Sequence, residues 1–65
     1  ARPEECEEIY RWLYDNLEII SKDSDLQDKA VLIIKQGLVD HSFVADPEIN
    51  LASVMIKLAR LHNGN

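Results

Sequence analysis

The stretch DPEINLASVMIKLARLH, residues 46–62, contains no Gly and no Pro after its second residue, and its two ends carry opposite helix signals. Asp46 can accept hydrogen bonds from the open amides of a first helical turn, and Pro47 suits the next position, where an N–H would have no partner. Asn63 and Gly64 supply a stop. The spacing therefore predicts a helix over 47–62, and the question becomes which side of it faces a core.

With Met55 at the centre of a helical wheel, Leu51, Ala52, Leu58, Ala59 and His62 fall within roughly 60° of it. Val54 and Leu61 flank this group on one side, and Ile49 and Ile56 on the other. The apolar arc covers about two-thirds of the circumference, where a surface helix ordinarily carries a stripe about 100° wide. Such a helix expects cover on both sides.

Working outward from it, "SFVA" at its shortest connects this helix to an earlier apolar pattern of Leu26, Ala30, Ile33, Ile34, Gly37 and His41. Ser24 with Gln27 three residues on reads as a capping box, predicting a second helix over 25–41. Gly37 either ends it or sits mid-helix where a neighbour packs closely. Before it, "SKDSD" is a polar turn. Pro3 with Glu4, Glu5, Glu7 and Glu8 complements the positive end of a helix dipole. Cys6, Tyr10, Leu13, Leu17 and Ile20 then recur in steps of four and three, predicting a first helix over 3–21. The expected architecture is all-α, a single domain over residues 1–65 forming a three-helix up-down-up bundle.

Composition sets the frame for function. The chain has 65 residues, 46% hydrophobic and 29% charged, with a net charge of −5. That is a globular composition near the lower size limit for folding alone. The acidic balance opposes broad attraction to nucleic acid or anionic lipid. The longest apolar run, "AVLII", falls far short of the roughly 20 residues of a membrane span, so no membrane contact is expected within this segment. "ARPEECEE" is acidic where a signal peptide is basic, and a single cysteine cannot form an internal disulfide. Together these point to an intracellular, cytoplasmic chain rather than a secreted one. The opening Ala1 in place of Met suggests a processed chain or an excised segment.

Chemistry-bearing constellations are sparse. Cys6, His41 and His62 are the only thiol or imidazole ligands, and an up-down-up bundle sends His62 to the opposite end from the other two, so no metal site is expected. "DSDLQD" lacks the glycine and distal glutamate of a calcium loop. The acids around Cys6 oppose thiolate formation, and the residue falls on the apolar face, as a packed core cysteine does. No phosphate loop and no nucleophile–base spacing is present, so neither a cofactor nor an enzymatic activity is expected.

Two readings remain, and both involve the third predicted helix. Its excess apolar surface, extended by the heptad-spaced pair Trp12 and Ile19, predicts a non-enzymatic oligomerisation or protein–protein interaction module with a regulatory or assembly role. The partner would be a second copy, giving a six-helix homodimer, or another helical protein. The interface residues expected are Trp12, Ile19, Ile49, Val54, Met55, Ile56, Leu58 and Leu61. The alternative is a dimeric nucleic-acid-binding domain using the acid-free stripe Asn50, Ser53, Lys57 and Arg60. Only two of those four are cationic, which weakens it.

Overall fold

The computed structural model describes residues 2–64. Among them the chain is all-helical, in the order α1 (Pro3–Asp15), α2 (Leu17–Ile20), α3 (Ser24–His41) and α4 (Pro47–His62). α1 and α2 each pack against both α3 and α4, and α3 and α4 pack against each other.

The segment expected as one helix over 3–21 is broken, so among the described residues four helices are present where three were expected. The break is at Asn16, whose φ of −129° and ψ of 42° leave the helical region. Its side-chain Nδ2 donates to the Trp12 carbonyl at 2.8 Å, and its backbone N–H to Leu13 O at 3.2 Å. An Asn side chain that satisfies a carbonyl of the last turn offers the backbone an alternative to continuing the helix. The single turn of α2 then resumes and buries Ile20.

α3 begins one residue before the expected start, and its cap is Asp23, not Ser24. The Asp23 carboxylate accepts from Asp25 N at 2.8 Å and Leu26 N at 3.3 Å. Gln27, expected to close a capping box, instead donates from Nε2 to Ser21 O at 2.8 Å, tying the turn to the helix. The helix runs through Gly37 to His41. Gly37 is buried, and a Cβ there would lie 2.5 Å from Val54 Cγ2 and 3.0 Å from Tyr10 Cε1. The missing side chain is what lets α4 and the Tyr10 ring approach this point.

α4 has the expected bounds. Asp46 Oδ1 accepts from Glu48 N at 3.0 Å and Ile49 N at 3.3 Å, and Pro47 opens the helix. The core is Cys6, Tyr10, Leu13, Ile20, Ala30, Ile34, Val54 and Leu58, with Leu17, Ile33, Leu51 and Leu61 packed against it. The molecule measures 33 × 21 × 17 Å. Among the described residues, the largest side chains wholly out of solvent are Tyr10 and Cys6.

Candidate functional site

The orientation of α4 decides which of its side chains remain available. Its core-facing side is built on Val54 and Leu58, each 4% exposed, with Leu51 and Leu61 beside them. This direction lies roughly 90° around the helix from Met55. Val54, Leu58 and Leu61 were expected at an interface between chains; they pack within the core of this one instead. The reason is Asn50, which turns inward. Its Nδ2 donates to the Tyr10 hydroxyl at 2.9 Å and to the Gly37 carbonyl at 3.0 Å. A polar residue on the core side, opposite the apolar Ile49 and Ile56, shifts the apolar centroid away from the true core direction.

The same hydrogen bonds break up the polar stripe. Asn50 is committed to the fold, while Ser53, Lys57 and Arg60 stay exposed. Asn50, which with Arg60 could pair bidentately with a base edge, is therefore held apart from the others.

The remaining expected interface residues are all exposed, and Trp12, Ile19 and Met55 come together along one groove. Ile49 is 69% exposed, Ile56 55% and Met55 44%. Trp12 and Ile19 are also more than half exposed and, with Met55 and Ala59, line an open groove of about 220 Å³ between α1–α2 and α4. His62 closes one end. Its Nδ1 lies 2.7 Å from the Ile20 carbonyl, an acceptor, so that nitrogen carries the proton and pins the end of α4 to the end of α2.

A second groove, about 490 Å³, runs between α1 and α3. Tyr14, Val31, Ile34 and Leu38 floor it, and the charged Glu7, Arg11 and Lys35 rim it. The sequence signal for it, Tyr14 and Leu38 outside the main faces of their helices, was too scattered to read. Arg11 stacks over the Tyr14 ring at 5.5 Å and pairs with Asp15 at 3.3 Å, so this rim is already engaged within the chain.

Buried titratable groups cluster where α1 meets the end of α3. His41 Nε2 lies 3.4 Å from Glu7 Oε1, and its ring meets Tyr10 edge-on at 6.0 Å. Burial pushes the Tyr10 phenol above its ordinary value; the Asn50 hydrogen bond opposes the shift, and the nearby Cys6 and Asp40 add to it. His41 Nδ1 is buried with no hydrogen-bond partner among the described residues. Cys6 is fully buried beside them, and among the described residues no group of His, Cys, Asp and Glu could hold a metal ion. No described helix is long and apolar enough to cross a membrane. No protein-family model matches the chain, and no curated protein and no solved structure proved similar to it.

Proposed function

We propose that this chain is a non-enzymatic helical oligomerisation module that pairs with a second copy of itself and serves regulation or assembly. The observation that carries the proposal is the exposed apolar groove lined by Trp12, Ile19 and Met55, with Ile56 and Ile49 also exposed on α4. A 65-residue chain has little core to spare, yet these side chains are left outside it. Covering them with the same surface of a second copy satisfies both at once, which is the logic of a two-fold dimer. The α1–α3 groove is the weaker candidate, because its charged rim would have to be stripped of water on docking.

The nucleic-acid reading keeps Ser53, Lys57 and Arg60 but gives up Asn50, and with it the bidentate amide that base recognition would use. Self-association is therefore the reading adopted.

Sedimentation equilibrium across a concentration series tests it. The wild type is expected to rise from monomer to twice its 7.5 kDa mass. Met55→Lys is expected to stay monomeric while keeping the wild-type helical circular dichroism. A wild type that stays monomeric into the high micromolar range overturns the proposal.

A further inference from the structure

The exposed side of α4 carries more order than apolarity alone. Ile49, Ala52, Ile56 and Ala59 follow one another in steps of three, four and three, forming a narrow ridge along the helix. All four are exposed, and they alternate large and small.

We infer that, in the self-association proposed above, the two α4 helices pair antiparallel, with each isoleucine of the ridge seated on an alanine of the other copy. Ile49 then meets Ala59 of the second copy, and Ile56 meets Ala52. Each of the four layers holds one large and one small side chain, so the seam fills evenly and the backbones come close. A parallel pair would stack Ile on Ile and Ala on Ala, alternating overfull layers with voids. Both faults cost stability in a packed seam.

Charge makes the same choice. On one flank of the ridge lie Asp46 at the N-terminal end and Arg60 near the C-terminal end; on the other lie Glu48 and His62. The antiparallel register that seats Ile49 on Ala59 brings Arg60 across from Asp46 of the second copy, and His62 across from Glu48. Arg60 has no carboxylate partner among the described residues of its own chain. Asp46 uses Oδ1 to cap α4, and a carboxylate has further acceptor sites for a guanidinium. A parallel pair would instead gather both acidic ends together and both basic ends together.

Met55 lies midway between Glu48 and His62 on its flank, seven residues from each. In this register the two-fold axis passes beside it, so the two copies of Met55 meet over the groove rimmed by Trp12 and Ile19. A flexible thioether suits such a self-contact.

Cysteine cross-linking in a glutathione redox buffer, read on non-reducing gels, tests the orientation on the full chain. The wild type serves as the control, since its own Cys6 is fully buried. Met55→Cys is expected to shift to a covalent dimer. Ile49→Cys alone is expected to stay monomeric, because its two copies would sit about 15 Å apart along the helices, beyond disulfide reach. Mixed with Ala59→Cys, it is expected to form a mixed dimer. All three sites are exposed, so a small apolar replacement leaves the core untouched. Self-linking of Ile49→Cys without Met55→Cys would overturn the antiparallel register and leave self-association standing. A dimeric mass with no cross-link from either variant would likewise overturn the register alone. A wild-type mass that stays monomeric at every concentration would overturn both readings.

Discussion

Asn50 donates a hydrogen bond to the hydroxyl of Tyr10 at 2.9 Å, joining residues forty positions apart across the core. The same amide donates to Gly37 O at 3.0 Å, so a single side chain on α4 fastens both α1 and α3. Asn50→Leu removes both bonds and leaves the hydroxyl of a fully buried tyrosine without this partner. The expected loss is about 1–3 kcal/mol of unfolding free energy, the usual cost of stranding a buried polar group. Urea unfolding at fixed protein concentration measures it, with Ser53→Ala, an exposed site on the same helix, expected to change by less than about 0.5 kcal/mol. Equal stabilities for the two variants would refute the role given to Asn50.

Gly37 is the second part of this junction. An alanine there gains about 1 kcal/mol in helix propensity. Against that, its Cβ would sit 2.5 Å from Val54 Cγ2, a distance that forces α4 or the Val54 rotamer to move. Overpacking of this kind costs about 1–3 kcal/mol, so Gly37→Ala is expected to be neutral to destabilising despite the better helix former. Combined with Val54→Ala, which removes the clashing methyl, its penalty should shrink. A double-mutant cycle from thermal melts reads that coupling, and strict additivity would contradict the contact.

How much of this was legible in sequence differs from residue to residue. The bounds of α4 were, because Asp46, Pro47 and the Asn63–Gly64 stop act locally on the backbone groups beside them. The break at Asn16 was not, because an Asn amide can point to solvent or back to Trp12 O, and the sequence does not say which. The cap of α3 was misplaced by one residue for a similar reason, since Asp23 and Ser24 are both good caps. The rotation of α4 was misread because a wheel weighs residues by hydropathy, and the half-buried Asn50 holds its inward place by hydrogen bonding. Trp12, Ile19, Ile49, Met55 and Ile56 were legible as surplus because a chain of three main helices cannot cover that many apolar faces.

The Tyr10 phenol gives a pH test. Burial holds its folded-state value above the ordinary 10.0, so the folded protein keeps the proton to higher pH than the unfolded chain does. The contribution is fully present below the unfolded value near 10 and is lost as pH rises through the folded one. Stability is therefore expected to fall with pH above about 10, and Tyr10→Phe should lack that part of the slope. Urea midpoints from pH 8 to about 11 for the two proteins check this, and parallel curves would count against a buried phenol.

Leu58 and Ile56 sit two residues apart on α4 and make opposite predictions, which separates folding from association. Leu58 is 4% exposed, inside the core, so Leu58→Ala is expected to cost about 2–5 kcal/mol in stability. Ile56 is half exposed in the single chain, so Ile56→Ala removes little that the fold itself needs. Its effect belongs to the pair. Removing about half the burial of an isoleucine side chain from each copy costs roughly 2 kcal/mol per dimer, or about 30-fold in Kd. Sedimentation equilibrium should show that weakening for Ile56→Ala, with its helical signal intact and its melt, taken below the dimer Kd, close to that of the wild-type monomer. Were Ile56→Ala instead to lower the stability of the monomer by as much as Leu58→Ala does, the ridge would belong to the core of a single chain, and the surface assigned to a second copy would have to lie elsewhere.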